Sequence, residues 1–221
     1  MKKKYNNYNK DIDKIIYILK NLYPDAKCSL VYNSPLELLI AGRLSSQCTD
    51  NRVNIVTKTL FNKYKTLEDF ADANLEDIKQ IIKPCGLFNK KAENIINLSK
   101  TIIKDFNNQI PDNIDELIKL PGIGRKTANL VVGEIFKKPA IICDTHCIRI
   151  TNLLGLSFSK DPVKVEKELR LVLPEKESCL FCHMIVYHGR KICKARKPDC
   201  PECHIKNYCQ FYKNKKSENL E

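Results

Sequence analysis

The stretch LPGIGRKTANLVV, residues 120–132, decides how the chain folds. Pro121 and Gly122 make a turn. Ala128, Val131, Val132 and Ile135 then follow at i, i+3, i+4 and i+7, the period of a helix with one buried face. Upstream, Ile114, Leu117 and Ile118 keep the same period and close at Leu120. The unit reads as helix, glycine turn, helix. Gly122 and Gly124 admit backbone angles that other residues resist, and Ile123 between them can anchor the turn in the core. The amides of Gly122, Gly124 and the next helical turn then face outward, where they can hold a phosphate oxygen.

A glycine turn between packed helices is the plain alternative. With G-I-G-R-K-T-A and apolar residues correctly placed on both sides, the stretch instead carries the helix-hairpin-helix pattern. Arg125 and Lys126 fall in the first turn of the second helix, where the backbone field opposes cations. A bound phosphate accounts for Arg125. Lys126 has two readings: a second phosphate ligand, or the amine of a Schiff base. A helix N-terminus, a neighbouring cation and partial burial all favour the neutral amine that such chemistry needs.

The remaining helix signals are local. Ser34-Pro35-Leu36-Glu37 has the form of a capping box with proline at the first helical position. Thr66 to Asp69 and Asn74 to Asp77 are weaker versions, Asn113 and Asp161-Pro162 open further helices, and Gly189 can end the helix CLFCHMIVYH. Ala92, Ile95, Ile96, Ile102 and Ile103 keep the helical period. No hairpin signal appears, and PAIIC at 139–143 is the one plausible extended piece. The fold class is all-α, with about ten helices joined by short turns. The polar segment after Tyr212 is expected to fray.

Composition narrows the function. The chain has 221 residues, 43% of them apolar, enough for one large or two small hydrophobic cores. Its net charge is +12, which points to a polyanionic partner, with nucleic acid ahead of an anionic membrane. No apolar run reaches the roughly 18 residues of a membrane span. MKKKYNNYNKDIDK leads into apolar residues at 12, 15, 16, 19 and 22, which is helical spacing and not a secretory signal. An intracellular protein is expected, in the cytoplasm or nucleoid if prokaryotic, and acting as a monomer.

Seven of the eleven cysteines are scattered (28, 48, 85, 143, 147, 179, 182), and four are crowded: Cys193, Cys200, Cys203 and Cys209, spaced C-x6-C-x2-C-x5-C. This is a complete ligand set of sulfurs, suited to zinc or to a [4Fe–4S] cluster, and spacing does not separate the two. With no open coordination position such a site is structural. The KARKPD loop between its first two cysteines, Lys197 among them, would present bases to a phosphate backbone. Asp144, in IICDTHCIRI, sits at a natural N-cap. A capped carboxylate is rigid, ionised and aimed, so capping and catalysis are compatible there. His146 reads as a structural hydrogen-bonder.

LPGIGRKTAN, DTH and C-x6-C-x2-C-x5-C, in this order and at these separations, closely resemble the endonuclease III family of DNA glycosylases with AP-lyase activity, from about Ile12 to Tyr212. The resemblance implies a six-helix domain over 28–138 that carries the hairpin at about 114–136. It implies a second domain, built from 1–27 and 139–214, that holds a [4Fe–4S] cluster on Cys193, Cys200, Cys203 and Cys209, with 215–221 a tail. Double-stranded DNA with damaged bases or abasic sites would lie in the groove between the domains. By position, Lys126 is the Schiff-base lysine and Asp144 the catalytic aspartate. Gln47 in LSSQCTD and Leu87 in CGLFNKKA match the residues that enter the space left by a flipped base. Gly122, Gly124 and Arg125 hold the backbone. The implied activity is removal of damaged, oxidised pyrimidines followed by β-elimination. A monofunctional relative such as an adenine glycosylase is the nearest rival, but such relatives lack a lysine at the position of Lys126. A non-catalytic DNA-binding module with a zinc site is the rival from another class. Cys48, Cys143 and Cys147 make this chain richer in thiols than the pattern requires, which raises the question of oxidation.

Overall fold

The computed structural model describes residues 9–218. The basic start, residues 1–8, and the last three residues of the tail lie outside them. Every regular element among the described residues is helical. The contact pattern divides the chain into two compact units: the residues up to Lys27 together with those from Lys138 on, and Cys28–Lys137.

The Cys28–Lys137 unit holds seven α-helices: α2 (Pro35–Leu44), α3 (Asp50–Lys63), α4 (Leu67–Ala71), α5 (Leu75–Ile82), α6 (Phe88–Asp105), α7 (Ile114–Leu117) and α8 (Arg125–Glu134). Their starts follow the local chemistry of the sequence. Ser34 caps α2 by accepting from the Glu37 amide, while the Glu37 carboxylate reaches the amide of Asn33, one residue short of the expected box partner. Thr66 and Asp69 form the full reciprocal box on α4. Asn74 caps α5, and Asn113 caps the single turn of α7. Each cap satisfies first-turn amides that would otherwise lack partners, worth about 1 kcal/mol. The core runs through Leu38, Leu39, Leu44, Leu60, Ile78, Ile95, Leu98, Leu117 and Val131, all fully buried. Helix α6 is its spine, packing on α4 and α5, and α2 packs on α8.

The other unit contains α1 (Asn9–Leu22), α9 (Thr145–Leu154), α10 (Pro162–Arg170), α11 (Ser178–Lys191) and α12 (Gln210–Glu218). Ile12, Ile15, Ile16 and Leu19 give α1 the buried stripe read from the sequence, and it packs on α11. Ala140, Ile141 and Ile142 are buried but form no strand. They run as an extended segment whose amides are taken up by side chains, Ala140 N–H by Ser178 Oγ and Ile142 N–H by Cys182 Sγ.

Two helix ends differ from expectation. Gly189 does not end α11; the helix continues to Lys191 and buries the glycine. A Cβ there would lie 2.6 Å from His146 Cδ2 and 2.9 Å from Ile150 Cδ1, so the glycine serves the close approach of α9 to α11. The segment after Tyr212 is also not frayed from its start, because α12 carries it to Glu218.

Candidate functional site

The hairpin is built as the glycine pattern demands, with the two glycines in different roles. Gly122 has φ +77°, in the left-handed region, and a Cβ on it would meet Arg43 Nε at 2.5 Å and Asn94 Oδ1 at 2.6 Å. These two side chains back the turn: Arg43, near the end of α2, donates from Nε and Nη2 to Asn94 Oδ1 on α6, at 3.1 and 2.9 Å. Gly124 is extended (φ −95°, ψ 169°) and is the N-cap of α8 without any side-chain cap. Nothing stands within 4 Å of where its Cβ would be. Its expected need for an unusual backbone angle is therefore corrected: what it contributes is bareness. The first-turn amides of α8 have no partners inside the helix, and no side chain covers the turn at its cap. Leu117, Leu120 and Ile123 pin the hairpin to the core, whereas Ile118 is exposed.

This separates two outcomes. Gly122→Ala places a methyl against Arg43 and Asn94 in a left-handed backbone, and should lower stability by about 1–3 kcal/mol. Gly124→Ala should leave the melting temperature unchanged yet weaken DNA binding roughly tenfold, the equivalent of about 1.4 kcal/mol. Thermal melts and fluorescence anisotropy on a short duplex check both. Equal effects in the two assays for both variants would contradict this division of roles.

Lys126 stands in the uncapped first turn of α8. The partial burial expected for it is not found: its side chain is exposed. It still influences its surroundings. The Cys28 thiol is pushed up to about 12, chiefly by burial, with the Glu134 and Asp50 carboxylates adding to the effect and Lys126 opposing it. Lys126, Asp50 and Glu134 therefore share one neighbourhood.

Gln47 and Leu87 are both exposed, and both adopt left-handed backbone, at φ +53° and +49°. For non-glycine residues this conformation is uncommon, and it persists where the surroundings enforce it. The loops that carry them meet at one buried side chain, Lys91, which bonds to carbonyls on both. Neither Lys91 nor Asn94 was singled out by sequence. The signal was there: Lys91 lies on the i, i+4, i+7 stripe with Ile95 and Leu98, where a solvated lysine does not belong.

In the other unit Asp144 is the N-cap of α9, its Oδ1 accepting from the Cys147 amide at 2.7 Å. Its second oxygen lies 3.4 Å from His146 Nδ1. One oxygen thus fixes the carboxylate while the other faces His146 Nδ1. The next turns of the same helix reach the cysteine cluster. Ile150, Leu153 and Leu154 line a small apolar cavity, partly open to solvent, together with Cys193, Cys200, Cys203 and Cys209. Arg149 Nη1 lies 3.6 Å from Cys193 Sγ, and His188 Nε2 lies 3.6 Å from Cys203 Sγ. Burial first, and then the neighbouring thiols, push Cys203 up to about 11. A metal centre must therefore displace protons to bind. Lys194, Arg196 and Lys197 are exposed on the loop between the first two cysteines, which the Asp199 amide closes onto the Ile192 carbonyl.

Of the extra cysteines, Cys48 is half-buried, while the other two are enclosed. Cys143 and Cys147 are buried, and Cys147 is raised well above an ordinary thiol by its hydrogen bonds to Cys143 and Cys182 and by burial. A protonated, enclosed thiol is a poor nucleophile.

Comparison with known proteins places these features. Residues 40–175 match the profile of the HhH-GPD superfamily base excision DNA repair proteins. The chain is 46% identical to endonuclease III of Bacillus subtilis over 202 residues, covering 91% of this chain and 92% of that protein. It is 44% identical to endonuclease III of Rickettsia felis over 201 residues, covering 91% and 94%. It also matches the solved structure of a trapped endonuclease III–DNA covalent intermediate, an estranged-adenine complex, with a TM-score of 0.87 and 42% identity over 94% of this chain and 98% of the other. No helix among the described residues is long and apolar enough to cross a membrane.

Proposed function

Because the chain belongs to the endonuclease III family, within the HhH-GPD superfamily of base excision DNA repair proteins, we propose that it removes oxidised pyrimidines from double-stranded DNA and then cuts the strand, with Lys126 as nucleophile and Asp144 as its electrostatic partner. The observation that carries this reading is Lys126 itself, an exposed amine on the uncapped first turn of a helix, directly after a bare glycine turn.

The hairpin amides take a phosphate oxygen, which offsets the opposition between the helix field and the two cations. Arg125 and Lys197 add backbone contacts. The damaged nucleotide leaves the stack, and Leu87 and Gln47 enter the vacated space, the first as an apolar wedge and the second as a donor and acceptor for the orphaned base. The neutral Lys126 amine attacks the sugar C1′ as the base departs with the bonding electrons. The ionised Asp144 stabilises the positive charge that develops on the sugar. Loss of water from the ring-opened adduct is not required, since expulsion of the ring oxygen gives the C1′ imine directly. The imine acidifies the C2′ hydrogen, and its loss expels the 3′ phosphate, breaking the strand. Hydrolysis of the imine returns the free lysine.

We assign a [4Fe–4S] cluster to Cys193, Cys200, Cys203 and Cys209, on the all-sulfur donor set gathered around one cavity and the family to which the chain belongs. It would fix the 193–209 segment against Ile150, Leu153 and Leu154 of α9, the helix that Asp144 caps. Purified protein should be brown, with close to four irons and four sulfides per chain as that cluster type requires. One zinc and no sulfide in anaerobically prepared protein would overturn the assignment. We place the enzyme inside the cell where chromosomal DNA is, in the cytoplasm or nucleoid if the source is prokaryotic, acting as a monomer.

The test of function is a panel of duplexes carrying single damaged bases. Strands with oxidised pyrimidines should end in a 3′ unsaturated aldehyde and a 5′ phosphate. Accumulation of intact abasic strands would mark a monofunctional glycosylase instead.

A further inference from the structure

Lys91, in the second turn of α6, is completely buried. Its ammonium donates to three carbonyls: Leu44 and Ser46 at 2.8 Å each, and Cys85 at 2.9 Å. That uses all three of its N–H donors. Its own amide donates to the Leu87 carbonyl at 3.0 Å. Two of the three carbonyls its ammonium reaches flank a left-handed residue. Ser46 precedes Gln47, and Cys85 stands two residues before Leu87, separated by Gly86 at φ +68°. Burying an ammonium costs several kcal/mol even when well bonded, and an apolar side chain would fill the site at no such cost. All three groups its ammonium bonds are neutral carbonyls, and burial works against its charge, with the nearby Arg43 also opposing it.

We propose that Lys91 is the positioning residue for base extrusion: a buried clamp that fixes the Gln47 and Leu87 loops to one point, so that both side chains enter the duplex in register. The proposal rests on the reading of Gln47 and Leu87 as the groups that fill the vacated space. The clamp explains how two strained backbone positions persist on exposed loops without caps of their own: Leu87 is the N-cap of α6 and makes no side-chain cap. It also couples the loops. If the carbonyl of Ser46 or Cys85 is released, one loop moves relative to the other, and a filler that is misplaced by an ångström loses most of its effect.

The test is the ratio of two rates on the full-length holoenzyme: excision of a well-paired oxidised pyrimidine, divided by cleavage at a ready-made abasic site. Loss of folded protein lowers both rates equally and leaves the ratio alone, so the ratio isolates extrusion. Lys91→Met keeps the bulk of the chain and removes the three bonds. It should lower the ratio by about tenfold or more, on the scale that small misplacements cost. Gln47→Ala with Leu87→Ala should lower it as well, and adding Lys91→Met to that pair should change it no further. A fall in both rates by one factor would overturn the proposal and leave Lys91 as a stability element. If the pair of alanines leaves the ratio unchanged, the reading of Gln47 and Leu87 fails, and the proposal with it. If the pair lowers it and Lys91→Met does not, the clamp alone is wrong. Should Lys91→Met not fold, Lys91→Gln, which can still donate to two carbonyls, carries the same measurement. Failure of both to fold would also overturn a positioning role.

Discussion

Replacing Lys126 by glutamine should abolish strand cleavage and borohydride trapping while leaving much of the DNA affinity in place. The separation follows from what each group contributes. On the proposed reading, phosphate binding at the hairpin comes from the amides of the uncapped α8 turn and from Arg125, and the substitution touches neither. Glutamine keeps most of the length and the helix propensity of lysine, so the fold should not respond. Its amide has no nucleophilic lone pair, and no imine can form. Removing a covalent nucleophile is expected to lower the lyase rate by ~10³-fold or more. Gel-shift affinity and single-turnover cleavage, measured on the same abasic duplex, check the two halves. If Lys126→Gln is still trapped efficiently, another amine does the chemistry.

The second large effect belongs to Asp144. Asparagine is as good an N-cap as aspartate, so Asp144→Asn should keep the bond to the Cys147 amide and the start of α9. Near-native melting is therefore expected. The negative charge is lost, however, and the sugar then develops positive charge without a fixed counter-charge. One preorganised charge aimed at charge that develops in the transition state is worth roughly 10²–10³ in rate. Base excision should fall by about that factor. Cleavage at ready-made abasic sites, where no base has to leave, should fall less. Parallel loss of stability and activity would reduce Asp144 to a cap.

The parts of this molecule that were legible in advance are the local ones. Ser34, Thr66, Asn74, Asn113, Asp144 and Asp161 all cap helices, because each needs a partner two or three residues away and no knowledge of the rest of the chain. The hairpin was legible for the same reason. Its interior was not. Gly122 and Gly124 look equivalent in sequence, but the side chains that crowd one of them come from α2 and α6, 79 and 28 residues away by their numbers. Gly189 looked like a helix stop because glycine often is one. Its role is set by α9, which needs the room. Lys90 and Lys91 are adjacent and chemically identical, yet Lys90 pairs with Glu93 at the surface and Lys91 is sealed inside. Only their helical phase distinguishes them, and the general tendency of lysine to be solvated hid the difference. Lys126 shows the converse: a neutral amine is favoured by burial, but the hairpin leaves this side chain exposed.

The most direct measurement of the central claim is the site of the covalent bond. The unaltered protein is mixed with a duplex carrying one abasic site, reduced with borohydride, digested, and the cross-linked peptide is sequenced by mass spectrometry. The adduct is expected on Lys126, in the peptide that contains TANLVVGE or directly adjoining it. An adduct on any other lysine, or on none despite strand cleavage, would contradict the account.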